Sequence, residues 1–219
     1  MKASPELLAA VETGDGKTLT RLLESQPDLG EARTSAGISI ILHALYHRQA
    51  EFAHMLARSV ASLDVHEAAA LDAVDELEAG LARDPPAARG FSADGFTPLH
   101  YAGFFAARGA LETLLVRGAD VRVRSDNSSR VTPLHSAAAA GDAAIVQRLL
   151  QAGAEADARQ AGGYTALMSA AHAGNGPMVD VLMAAGASAS LRDDAGRSAA
   201  DLAEEAGYGE LAGRLRGAG

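Results

Sequence analysis

The chain has 219 residues, with 28 acidic and 19 basic side chains and a formal net charge of −9, a balance that opposes whole-surface binding to nucleic acid or to an anionic membrane. It has no cysteine, which excludes a disulfide framework, a thiolate metal site and a cysteine nucleophile. No apolar core of signal-peptide type follows Lys2, and no stretch approaches the ~20 apolar residues of a membrane span, so a soluble, cytoplasmic protein is expected.

In chain order, residues 4–25 predict a helical hairpin: Leu7, Leu8 and Val11 form one apolar stripe, Gly14 turns the chain, and Leu19, Leu22 and Leu23 form the second. Pro27 and Gly30 mark a loop over 26–36. Ser39 to Arg58 reads as a second hairpin, with Ile41, Leu42, Ala44 and Leu45 on its inner helix and Phe52, Met55 and Leu56 on its outer one. Arg48 stands where a turn glycine is expected, which predicts a strained or looser turn. Residues 64–83 form a degenerate third unit, Ala68-Ala69-Ala70-Leu71 followed by Val74, Leu77 and Leu81, with no room for a finger before it. Its carboxylates, Asp64, Glu67, Asp72, Asp75, Glu76, Glu78 and Asp84, are expected on a solvated face, with a docking strip for a basic partner as the sharper alternative. Residues 84–96, with Pro85-Pro86 and Gly90, read as a connecting loop, and stacking is expected to continue across it.

Four regular units follow. Thr132-Pro133-Leu134-His135-Ser136-Ala137-Ala138 begins one: a threonine N-cap, a proline at the first helical position, then Gly141, the stripe Ile145, Val146, Leu149 and Leu150, and the closing Gly153-Ala154. The frame recurs from Thr97-Pro98-Leu99-His100-Tyr101-Ala102, from Thr165-Ala166-Leu167-Met168 and from Ser198-Ala199-Ala200-Asp201, at spacings of 35, 33 and 33 residues. The longer connection, Val121 to Val131, alternates apolar and polar residues and predicts a two-stranded finger with a polar tip. A period of ~33 with two copies of Thr-Pro-Leu-His resembles the ankyrin-repeat family. The resemblance implies an all-α solenoid of stacked helical hairpins joined by short β-turn fingers. It is expected to form a single domain over 1–219: an irregular N-terminal cap and degenerate repeats over 4–83, the loop 84–96, and four regular repeats, including a C-terminal cap, over 97–216.

No constellation supports catalysis. There is no Gly-x-Ser-x-Gly elbow, no phosphate-binding loop and no Gly-x-Gly-x-x-Gly after a strand. The resemblance implies structural imidazoles at His100 and His135, each bonding neighbouring backbone. His43 and His47 share one helical face but supply two ligands where zinc wants three or four. No enzyme, cofactor or metal is therefore expected.

The chain has nine Phe and Tyr residues and no Trp. The resemblance places the eighth and ninth positions from each cap on a concave, partner-binding face and the residue before the cap at the finger base. Those positions hold Tyr46, His47, Phe104, Phe105 and His172, and Phe96, Val131 and Tyr164. Exposed aromatics bury large area at low entropic cost. Five of the nine aromatics thus fall on the expected binding side, with Arg122, Arg124 and Arg130 adding polar contacts from the finger. The plainer alternative is that Phe104 and Phe105 fill space left by the third unit's short side chains. Tyr101 is expected to pack between inner helices and Phe52 in the outer-helix core; Phe91 has no assigned role. The expected function is non-enzymatic binding of a folded protein partner by a monomer, without nucleic acid or membrane. The competing reading is an enzyme, small-ligand or metal-binding protein with a pocket at the irregular 59–96 junction, near His43, His47 and His66. Self-association through an imperfect cap is a third.

Overall fold

The computed structural model describes residues 1–218 as fourteen α-helices and three short 3-10 turns, without a strand or sheet among the described residues. The helices pair into hairpins: α1 (Pro5–Thr13) with α2 (Gly16–Ser25), α3 (Ile40–Tyr46) with α4 (Ala50–Ala57), α5 (Val65–Ala70) with α6 (Val74–Arg83), and α7 (Pro98–Phe104) with α8 (Arg108–Val116). The remaining three are α9 (Pro133–Ala140) with α10 (Ala143–Gln151), α11 (Ala166–His172) with α12 (Gly176–Ala184), and α13 (Ala199–Glu205) with α14 (Gly209–Gly217). Each odd-numbered helix packs on the next odd-numbered one, so that α1, α3, α5, α7, α9, α11 and α13 form an inner layer. A single apolar cluster runs along this stack from Ala3 to Leu215. This is an all-α repeat solenoid, and its length and thinness follow from each hairpin finding its core in its neighbours.

Small side chains set the spacing. Ala68, Ala69, Ala137, Ala170, Ala171 and Ala203 are buried between inner helices. At Gly103 the approach of α9 is so close that a Cβ would lie 3.1 Å from the Pro133 carbonyl and 3.4 Å from the Ala137 nitrogen.

The hairpin turns need a left-handed residue. Gly14, Gly141, Gly174 and Gly207 supply it with φ between +66° and +87°, and the same turn is made by Arg48 (φ +60°), Asp72 (+55°) and Ala106 (+56°). A left-handed non-glycine residue costs on the order of 1 kcal/mol. Asp72 recovers part of this because its carboxylate accepts the Ala110 N–H at 2.7 Å. Arg130 (φ +52°) meets the same demand at the finger, where Gly37, Gly95, Gly163 and Gly196 stand in other units.

The residue three positions after the cap ties successive units together. His100 Nδ1 accepts the Thr97 N–H at 3.2 Å, which leaves the ring proton on Nε2 to be donated forward to the Val131 carbonyl at 3.0 Å. His135 repeats the arrangement with Thr132 N–H (3.2 Å) and the Tyr164 carbonyl (3.2 Å). In the degenerate third unit two side chains divide this work. Glu67 accepts the Asp64 N–H at 2.9 Å and the Ser39 hydroxyl at 2.5 Å, while His66 bonds the Gly90 carbonyl at 3.0 Å. Glu67 is accordingly buried, not on the solvated acidic face expected from the sequence, and burial raises its pKa.

The connection Val121–Val131 is not the expected two-stranded finger. Ser125 turns inward and is fully buried; its N–H donates to the Val131 carbonyl at 2.7 Å, and its hydroxyl accepts the Val131 N–H at 3.0 Å. One backbone hydrogen bond closes the finger in place of a ladder. Successive fingers are sewn by Asp126 N–H to Gly95 O (2.8 Å), Ala161 N–H to Ser129 O (2.9 Å) and Asp194 N–H to Gly162 O (2.9 Å).

Two outcomes are expected. Ala106→Gly should stabilise the fold by about 0.5–1 kcal/mol in urea unfolding, because relief of left-handed strain exceeds the added chain entropy. Burial holds His100 and His135 neutral, with pKa values lowered to about 4 from an ordinary 6.5. Below pH 6.5 the unfolded chain then binds protons that the folded chain refuses. Their stabilisation is complete above pH 6.5 and is lost as pH falls towards 4, by up to roughly 3 kcal/mol each. His135→Met, which copies Met168 of the next unit, should lower stability at pH 7.5 yet flatten its decline below pH 6.5.

Candidate partner-binding site

Tyr46 ends α3, Phe104 ends α7 and Phe105 is its C-cap, so all three stand at the same rim of the inner layer. Between them α5 is short: its cap, Asp64, and its turn, Asp72, lie eight positions apart, where Thr97 and Ala106 are nine apart. The alanines of α5 leave room above it, and the rings of the flanking units close over that gap. Tyr46 lies 6.3 Å from Phe104 and 5.7 Å from Phe105 between ring centroids, and Phe105 stacks parallel on Tyr101 at 6.3 Å. Phe105 is thereby half-buried, as filler. Phe104 is 42 % exposed and meets Phe105 edge-on at 5.1 Å. The two adjacent phenylalanines thus differ: Phe105 fills space, and Phe104 faces solvent.

One carboxylate organises the cluster. Asp94 accepts the Tyr46 hydroxyl at 2.6 Å, the Tyr101 hydroxyl at 2.5 Å and the Ser92 hydroxyl at 2.5 Å. Burial pushes both tyrosine pKa values well above the ordinary range, so the phenols stay protonated as donors. Tyr101 is 2 % exposed, packed between inner helices as expected. Beside these rings lies a cavity of about 150 Å³ lined by Tyr46, Phe96, His100, Tyr101, Phe104 and Ser136. Phe96, half-buried at the finger base, forms its floor with Tyr101 at 6.0 Å. The size suits one apolar side chain and falls well short of the ~300–1,000 Å³ typical of substrate pockets.

The other residues singled out from the sequence lie elsewhere. His47 is exposed next to Tyr46, its ring 4.6 Å from that of His43. Val131 is half-buried and engaged through its carbonyl with His100. Arg122 Nε donates to the Gly153 carbonyl at 2.9 Å, and Arg124 donates to the Arg159 carbonyl, so both guanidinium groups serve the next repeat. Arg130 is exposed on the finger. Tyr164 borders a separate open groove with Gln160, Asp193 and Arg197, and His172 is exposed at the end of α11. His66, stacked edge-on against Tyr101 at 5.8 Å, does not converge with His43 and His47. Asp94 carried no sequence signal; only its place two residues before a finger-base aromatic could have marked it.

The model of the ankyrin repeats, present in three copies, matches residues 104–193 and 134–215, which together cover just over half of the chain. The chain belongs to the ankyrin-repeat family. No curated protein matches it. Ankyrin repeats are generally protein–protein interaction modules and typically non-enzymatic. The matched span begins at Phe104, so the aromatic rim lies where the regular ankyrin repeats meet the irregular units before them.

Removing the organising carboxylate should be costly. Asp94→Ala leaves the Tyr46 hydroxyl without its acceptor and should destabilise the protein by about 1–3 kcal/mol in chemical denaturation, whereas Asp94→Asn, which keeps an acceptor oxygen, should lose less.

Proposed function

We propose that this chain is a non-enzymatic module that grips a folded protein partner along the exposed rim of its inner helices and finger bases. The observation that carries the reading is Phe104, a large apolar ring held open to solvent beside an apolar cavity of about 150 Å³. Tyr46, Phe96 and Tyr101 hold the walls, with Phe105 packed behind Tyr46 and Tyr101; a partner's aliphatic or aromatic side chain enters between Phe96 and Phe104. His47, Arg130, Tyr164 and His172 extend the contact along the rim, and Val131 contributes at the finger base. Arg122 and Arg124 keep the fingers in register and offer only their remaining N–H groups.

Rigidity favours such a site. Phe104 ends a packed helix, and Tyr46 and Tyr101 beside it are held by hydrogen bonds to Asp94, so little ordering entropy is lost on docking. No helix of the described residues is long and apolar enough to cross a membrane. A net charge of −9 favours a partner with a basic rim around its apolar anchor. An enzyme or small-ligand site at the 59–96 junction is disfavoured by the cavity's size, its almost wholly apolar walls and the separation of His66 from His43 and His47.

Affinity capture from the native organism, followed by mass spectrometry, tests the reading. Phe104→Ser should weaken the captured partner at least about thirtyfold, the loss of one hot-spot anchor, with helicity unchanged. Recovery of the same protein at undiminished affinity by that variant would remove Phe104 from the interface.

A further inference from the structure

Among the described residues one set of side chains has the composition and spacing of a metal site: Glu12, His43 and His47, whose ligand atoms all lie within 4.8 Å of one another. The two histidines are four residues apart on one face of α3 and its C-cap, and the glutamate comes from α1 of the preceding hairpin. Their rings are 4.6 Å apart, tilted by 53°. His43 Nε2 is 3.2 Å from Glu12 Oε1. That separation matches two ligands about 2.0–2.1 Å from a tetrahedral ion, which stand about 3.3 Å apart. His47 lies at the exposed end of the helix, with a ring nitrogen within 4.8 Å of the other two ligand atoms.

We propose that Glu12, His43 and His47 bind a divalent transition-metal ion of the zinc class. Two imidazoles and one carboxylate form a three-ligand set that suits zinc, and three protein ligands leave the fourth position to water. Binding requires the hydrogen between His43 and Glu12 to be given up. A neutral imidazole carries one N–H, so its proton moves to Nδ1 and Nε2 turns its lone pair to the ion. The carboxylate offsets one of the two positive charges, and the remaining charge falls on a chain of net −9. Because the ligands come from the first two hairpins, the ion would staple the N-terminal cap to the stack. This inference does not rest on the partner-binding reading.

The test is calorimetric titration of the untagged full chain with zinc chloride, alongside thermal unfolding with and without zinc. Wild type should take up one equivalent and gain thermal stability. His47→Ala and Glu12→Gln, both at exposed positions, should each bind at least about tenfold more weakly and lose the zinc-dependent stabilisation, since even outer partners of metal ligands are worth 10–100-fold. His54→Ala, on the exposed side of α4, should bind as wild type does. Cobalt substitution should give the visible absorption of a four- or five-coordinate site in wild type and the His54 variant, but not in the His47 or Glu12 variant. An absence of saturable uptake by wild type, or unchanged affinity in either the His47 or the Glu12 variant, would overturn the assignment.

Discussion

A helix of seven residues cannot hide its apolar side within its own hairpin, and this constraint governs the whole chain. α3, α7, α11 and α13 are each that short, and each packs against the inner helices of neighbouring units. Isolated, such segments would be far below the ~12–15 residues at which helices become marginally stable in water. Their persistence comes from packing, and packing at this spacing demands alanine and glycine at the contacts. The forward hydrogen bonds of His100 and His135 then fix each unit's rotation relative to the next, because a buried carbonyl left without its donor would cost more than the bond itself yields.

The irregular units obey the same constraint with different residues. Where the repeat wants histidine, the third unit uses His66 to reach forward and Glu67 to satisfy its own cap. Where it wants glycine, three units use Arg48, Asp72 and Ala106 and accept the strain. Where it wants a full inner helix, α5 stops early, and the space above its alanines is taken by Tyr46, Tyr101 and Phe105. The exposed aromatic rim and the defect in the repeat are therefore one feature: aromatics drawn in to cover a short helix leave one of their number, Phe104, facing outward.

Much of this architecture is legible in the sequence. The caps at Thr97, Thr132, Thr165 and Ser198, the turn glycines and the apolar stripes encode periodic geometry, which a linear reading detects. Tyr101 belongs to the core because its position within the repeat decides it. What a linear reading misses depends on residues brought together across units rather than within one. Asp94 meets Tyr46 from 48 positions away, and Glu12 meets His43 from 31. Neither separation is a multiple of the period, and neither pair bears a motif. The expected strands at 121–131 fail for a related reason: alternation of apolar and polar residues suits a strand, but burial of Ser125 curls the segment until no ladder can form. The aromatic pair at 104 and 105 stands out in the sequence by scarcity and position, while its division between packing and exposure follows from the shortness of α5.

The hydrogen bond from Tyr46 to Asp94 joins the second hairpin to the entrance of the fourth, passing over the third. In an ideal solenoid a unit knows only its immediate neighbours, and opening can spread from any point at similar cost. Here a clasp spans three units, so releasing the short third hairpin also strips cover from both of its flanks. The second, third and fourth hairpins are thereby coupled beyond nearest-neighbour packing. A ligand seated on the aromatic rim would therefore bear on both flanks of the third hairpin at once.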